Sequence, residues 1–127
     1  FSAAFPAILA KAVVCALDIM ESDDALRAKL WANVHRLHDG YDKIGIAIAG
    51  REAASIPVII GHDEIMFPFS LDLFEAGVFT YPVVYPVTPK GRSLFRMSVQ
   101  VGHSNEDLDY TVGVFKDLLV KYGVRAA

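Results

Sequence analysis

One cysteine in 127 residues leaves no internal disulfide to form. Cys15 lies inside an apolar helical phrase, so a small buried thiol and a reducing, cytoplasmic setting are the expectation. Long hydrophobic runs are scarce too. The stretch at 5–17 spans 13 residues and is interrupted by Lys11, short of the about 20 apolar residues that cross a bilayer. No basic leader with a small-residue cleavage pattern precedes it, so no membrane or export signal is visible. Cationic clusters are missing: 12 Lys and Arg against 15 Asp and Glu give a net charge of −3, and the positive residues are scattered rather than interleaved with aromatics. That excludes a surface built to track a phosphate backbone, so nucleic acid is not an expected partner. GREAAS lacks the glycines and lysine of a phosphate loop, and no Ser, His and Asp order or Gly-flanked nucleophile is readable. Repeats and low-complexity segments are likewise absent.

What remains is a composition that folds. Apolar residues make up 54% and charged residues 21%, and a chain of this length buries roughly two-thirds of its unfolded surface around one core. A single domain over residues 1–127 is expected. The chain opens with Phe1 rather than Met, in the middle of an apolar phrase, and is expected to be a piece of something longer.

PAILAKAVVCALDIMES reads as a helix with Pro6 suited to its first turn. Its polar stripe is confined to Lys11, Cys15, Asp18 and Ser22. A helix so apolar around its circumference needs cover on several sides, which implies another domain or subunit. Ser22, Asp23 and Asp24 supply a cap and negative charge for a second helix, striped by Leu26, Leu30, Val34 with Asn33 beside it, and Leu37, with Gly40 expected to end it. KIGIAIAG and IPVIIG read as two strands, Pro57 arguing for an edge or a start. HDEIMFPFSLDLFEAG is helical in its latter half, with Leu71 and Phe74 as its apolar markers, Pro68 in a first turn or a break, and Gly77 as its stop. VFTYPVVYPVTPKG is an extended, proline-stiffened crossing that ends in a turn at 89–91, with a short extra strand possible at 78–80. SLFRMSVQV alternates Phe95, Met97, Val99 and Val101 against Leu94, Arg96, Ser98 and Gln100, a half-buried strand. Ser104 with Asp107 gives a capping-box signal for a last helix carrying Leu108, Val112, Phe115 and Leu119, closed by Gly123. The order ααββαβα predicts an α+β (α/β sandwich) fold, a small antiparallel or mixed sheet packed on helices.

Among candidate chemistries, His35 and His38 are spaced i, i+3 with Asp39 adjacent, a spacing that suits two ligands of one metal. No further ligands follow at a recognisable spacing, so a solvated helix face is the simpler reading. His62 and His103 precede helix starts, where imidazoles pack or cap, a catalytic role being the alternative. Arg96 remains. It reads either as a solvated residue on an open sheet face or as a carboxylate receptor, since its face-mates Leu94, Ser98 and Gln100 include no acid and a guanidinium fixed on a strand offers a planar two-donor fork.

YPVVYPVTPKGRSLFRMSVQVGHSNEDLD resembles the C-terminal segment of the α-oxoamine synthases, which are pyridoxal-phosphate enzymes. The matching residues are Tyr85 and Pro86, Pro89, Gly91, Arg96-Met97-Ser98 and His103-Ser104. FSAAFP, LWANVHRL, SIPVIIG and LFEAGVF match further family phrases in order, so the likeness covers essentially the whole chain. It implies the C-terminal small domain of a fold-type I enzyme that condenses an amino acid with an acyl-CoA, with pyridoxal phosphate as the electron sink. By the same resemblance Arg96 holds the substrate carboxylate, Tyr85 and Pro86 wall the substrate, and Ser2 lies near the cofactor phosphate across a homodimer interface. The Schiff-base lysine and the cofactor's other ligands are expected before Phe1, in a large domain, leaving residues 1–127 inert alone. Three departures stand out: Leu94 where many relatives carry a second Arg, Ser104 for Thr, and Pro68 within a usually continuous helix. The rival readings are a stand-alone ligand-binding or regulatory module and the small domain of another fold-type I enzyme such as an aminotransferase.

Overall fold

A computed structural model describes residues 4–50 and 52–124. The helices are α1 (Ala7–Ser22), α2 (Asp24–Lys43), α3 (Met66–Glu75, entered through a 3₁₀ turn at Asp63–Ile65) and α4 (Asn105–Lys121). The strands are β1 (Ala47–Ile48), β2 (Ser55–Ile59), β3 (Tyr81–Val83) and β4 (Leu94–Ser98). They form one sheet in the order β1-β2-β4-β3 with every pairing antiparallel. The expected α+β architecture is borne out. The extra strand falls three residues later than the 78–80 of the sequence reading, because the Val78 N–H is spent on the Leu73 carbonyl at the end of α3 (2.8 Å).

Two prolines inside strands are accommodated by register. β2 faces β4 with Ile56 opposite Met97, Pro57 opposite Arg96 and Val58 opposite Phe95, and the flanking bonds from Ile60 N to Ser93 O and from Val99 N to Ala54 O set the phase of the ladder. That phase turns the Pro57 nitrogen away from β4 and toward β1, where its carbonyl still accepts from Ala49 N (3.2 Å). The missing N–H therefore falls where β1 ends, and the main pairing is intact. Pro82, opposite Phe95 on β3, points its nitrogen to the outer edge of the sheet. Pro57 thus lies within an inner strand rather than at an edge, on the side where the ladder is short.

The core lies between one sheet face and the helices. Ile56, Val58, Phe95 and Met97 point inward to meet Val34, Leu37 and Tyr41 of α2, Phe69 and Leu73 of α3, and Phe115, Leu118 and Leu119 of α4. Phe69 sits 5.3 Å from Phe95 and 5.8 Å from Phe115, centroid to centroid, and Tyr41 meets Phe115 edge-on at 5.3 Å, geometries that add to plain burial. Asp23 caps α2 by accepting from Ala25 N and Leu26 N. The Ser104–Asp107 capping box opens α4 as its sequence indicated.

Several local expectations are corrected. Gly40 does not end α2; the helix runs on to Lys43, and Gly40 is where α4 comes close, an added Cβ meeting Val112 Cγ2 at 2.6 Å. The buried side of α3 is Met66, Phe69 and Leu73, while Leu71 and Phe74 face outward; Pro68 sits in the first turn, where no N–H is needed. Cys15 is exposed, not buried, because no residue of α1 is buried in the described structure. His38 is buried on α2 while His35 is exposed, so the pair does not form one solvated face.

At the far end of the core Asp72 of α3 accepts from Lys121 Nζ (2.7 Å) and from the Tyr122 hydroxyl (2.6 Å). The Lys121 bond first and the Tyr122 bond second hold its carboxyl below the usual 3.8. A depressed folded value contributes stability present above the unfolded value and lost as pH falls through the folded one. The chain should therefore lose melting temperature as pH drops from about 5 to about 2, and Asp72→Asn should be less stable at neutral pH with a shallower acid slope. An identical slope in the variant would exclude this carboxylate as a contributor. Gly40→Ala should destabilise by about 1–3 kcal/mol despite the higher helix propensity of alanine, since Val112 has little freedom to yield. In a Val112→Ala background the same change should be neutral or stabilising, measured by denaturant unfolding.

Candidate functional site: a carboxylate cleft around Arg96

The candidate side chain, Arg96, is carried on the sheet face away from the core. β4 alternates so that Phe95 and Met97 are buried while Arg96 and Ser98 are exposed. On this face the four lattice neighbours of Arg96 are fixed by register: Leu94 and Ser98 along its strand, Pro57 opposite on β2 and Tyr81 opposite on β3. None is acidic, and among the described residues no carboxylate pairs with the guanidinium. Its nearest aromatic is Tyr81, whose ring centroid lies 6.0 Å from the guanidinium carbon. The fork of donors is thus left open to an acceptor from outside.

Arg96 lines a cleft of about 530 Å³, of a size suited to a small molecule. It lies at the margin where β4 runs on past the start of β3, and its lining takes in core-side Leu37, Val78, Met97, Val99 and Leu108 as well. The loop leading into β3 supplies Phe79, Thr80 and Tyr81, β4 and its extension supply Arg96, Ser98 and Gln100, and the start of α4 supplies Asp107, Tyr110 and Thr111. The loop is pinned by the Thr80 hydroxyl donating to Arg96 O (3.0 Å) and by Tyr110 donating to Ala76 O (2.9 Å). The floor is pinned from α2: buried Asn33 donates its amide to Gln100 O (2.9 Å) and His103 O (3.1 Å), and the Gln100 N–H donates to His103 Nδ1 (3.3 Å). Asp107 is held below its ordinary range, first by the Ser104 backbone N–H and then by the Ser104 hydroxyl, so at neutral pH it is a charged cap on α4.

The sequence-based candidates separate. Arg96 and His103 line the cleft, His103 as acceptor and backbone anchor. Tyr85 and Pro86 do not. They occupy the turn after β3, which ends at Val83, and are not among the residues that line the cleft. There Lys90 Nζ stands 5.3 Å from the Tyr85 ring. His62 precedes the 3₁₀ turn, with Nδ1 3.5 Å from Glu64, far along the chain from the cleft lining. Ser2 lies outside the described residues. Sequence reasoning missed Tyr81 and the α4 wall of Tyr110 and Thr111. The alternation of Phe79 and Tyr81 ahead of Pro82 was the available signal for the first.

Among the described residues no lysine lines this cleft. Lys11, Lys29, Lys43, Lys116 and Lys121 lie on helices and Lys90 lies in a turn. These residues therefore fit an anion receptor, not a complete seat for an aldehyde cofactor that is held through a lysine.

The chain belongs to the aminotransferase class I and II family, whose model matches residues 1–115. It is 36% identical over 116 residues to an 8-amino-7-oxononanoate synthase of Thermoanaerobacter pseudethanolicus, an alignment covering 91% of this chain and 29% of that protein. It is 31% identical over 121 residues to 2-amino-3-ketobutyrate coenzyme A ligase of Escherichia coli K12, covering 95% of this chain and 30% of the relative. In three dimensions it matches the crystal structure of 8-amino-7-oxononanoate synthase from Francisella tularensis with a TM-score of 0.81, over 97% of this chain and 36% of the other, at 17% identity; that likeness concerns the fold. The resemblance to α-oxoamine synthases read from the sequence is borne out, and the chain spans under a third of the length of these curated relatives.

Asn33→Ala should destabilise the chain by about 1–3 kcal/mol, because two carbonyls of the cleft floor lose their donor together. Faster amide hydrogen exchange confined to residues 100–103 and their neighbours is the expected signature; unchanged exchange there would remove Asn33 as the pin.

Proposed function

We propose that this chain is the C-terminal part of a pyridoxal-phosphate-dependent acyltransferase that condenses an amino acid with an acyl-CoA to give an α-oxoamine, and that its contribution is to grip the amino acid's carboxylate through Arg96. The observation that carries the reading is the isolation of that guanidinium. It is fixed on a central strand, opens onto a cleft and has no acid among its lattice neighbours. Family membership and the relatives' names support the reaction class. Holding the carboxylate in one orientation decides which bond to the amino acid's α-carbon aligns with the cofactor, a positional contribution rather than a chemical one.

The cofactor, its lysine and the acyl-CoA contacts belong in this reading to a large domain outside the chain and to a second copy in a homodimer. The exposure of Ile8, Leu9, Val13, Val14, Leu17, Ile19 and Met20 along α1 supports such cover. Residues 1–127 alone are then catalytically inert. The setting is cytoplasmic, in keeping with the exposed thiol of Cys15; among the described residues no helix is long and apolar enough to cross a membrane. Tyr85 and Pro86 in this reading wall the substrate, and Ser2 lies near the cofactor phosphate across the dimer interface.

In the full-length enzyme, Arg96→Ala should lower kcat/KM by about ten- to a hundred-fold, the value of a charged two-pronged hydrogen bond. Arg96→Lys should recover little, since an ammonium does not reproduce the fork. Undiminished kcat/KM in both variants would remove the carboxylate role.

A further inference from the structure

Arg96 is exposed on its strand, and the residue best placed to orient it is one for which the sequence suggested no role. Tyr81 pairs with Arg96 in register across β3 and β4, so their side chains rise side by side on the same face. The guanidinium carbon lies 6.0 Å from the Tyr81 ring centroid. Pro57 stands on the opposite flank through the β2 pairing, which leaves the arginine between an aromatic ring and a pyrrolidine. The Tyr81 ring is itself buttressed: Phe79 meets it edge-on at 5.3 Å, and Phe74 meets Phe79 edge-on at 6.3 Å. Phe74 belongs to α3, so a chain of aromatic contacts runs from a core helix to the exposed cation. These rings are exposed, which core packing does not explain.

We propose that Tyr81 is a positioning residue for Arg96: its ring face, braced by Phe79 and Phe74, fixes the guanidinium plane so that both outer N–H groups point into the cleft toward a carboxylate. The inference rests on the carboxylate-gripping reading of Arg96. A free arginine side chain samples many rotamers, and each one frozen in advance is entropy not lost on binding. The ring face also attracts the cation directly. The phenol hydroxyl is not required for either effect, so the ring and not the oxygen is the active part. The preorganisation concerns binding of the carboxylate partner alone and leaves the acyl-CoA side untouched.

The test uses the full-length, cofactor-loaded enzyme with its preferred amino acid as probe. Tyr81→Leu should raise KM for the amino acid by about three- to ten-fold, with kcat and the KM for acyl-CoA little changed, and Tyr81→Phe should match the parent. Spectral titration of the bound cofactor with the amino acid, in the absence of acyl-CoA, should show the same shift in apparent Kd. In an Arg96→Ala background, Tyr81→Leu should add nothing. An unchanged amino-acid KM in Tyr81→Leu, an equal loss in Tyr81→Phe, or a loss that persists once Arg96 is gone would each overturn the proposal. If Arg96→Ala itself leaves the amino-acid Kd unchanged, it is the carboxylate reading that fails, an outcome told apart from the others by the single variant. Equal melting temperatures of Tyr81→Leu and the parent, expected for an exposed side chain, keep the comparison about the site.

Discussion

The pairing of β4 with β2 is the constraint on which the rest of the molecule depends. Its phase is fixed by which face is buried: sliding β4 by one residue would expose Phe95 and Met97 and bury Arg96, and sliding β2 would expose Ile56 and Val58. The aromatic cluster of Phe69, Phe95 and Phe115 therefore does more than stabilise. By holding one side of β4 in the core, it obliges the other side to present a cation at a fixed place, and the register with β3 then sets Tyr81 beside it. Core side chains and the candidate arginine occupy the two faces of a single five-residue strand.

The helices serve that strand in different ways. α2 and α4 meet closely at Gly40 and Val112, are tied on their surface by the two-pronged pair of Arg36 and Asp109 (2.8 and 2.6 Å), and through Asn33 reach the loop that follows β4. α3 is fastened to the end of α4 by the Asp72 clamp and sends Phe74 outward to the rings near the cleft. α1 touches little of this and offers a largely exposed apolar surface, none of its residues being buried.

Much of this was legible in the sequence, where the pattern has a physical period. The alternation in SLFRMSVQV indicated the strand, its buried side and the orientation of Arg96, although the strand ends at Ser98 and Val101 lies in the turn beyond it. Ser104 with Asp107 gave the start of α4, and Asp23 the start of α2. The failures came where tertiary context overrides local preference. Gly40 looked like a helix stop but is a contact point, a distinction that depends on Val112, 72 residues later. Leu71 and Phe74 looked like core because they are apolar, but the stripe that α3 buries is set by Met66, Phe69 and Leu73. Pro57 looked like an edge signal, and only the register reveals that its nitrogen faces the short strand. The alternation of Phe79 and Tyr81 signalled a strand, but that Tyr81 stands beside Arg96, 15 positions away, is decided by strand phase alone.

The placement of Pro82 has a consequence for assembly. On the three-residue strand β3, the ladder turns the polar groups of Tyr81 and Val83 inward to β4, so the outer margin is left with the backbone of residue 82, which carries a carbonyl and no donor. A foreign strand arriving there finds an acceptor but no donor, so it cannot form a paired ladder. The sheet is capped at four members on this side by an imino acid, which guards a protein with so much aromatic surface against fibrous self-association.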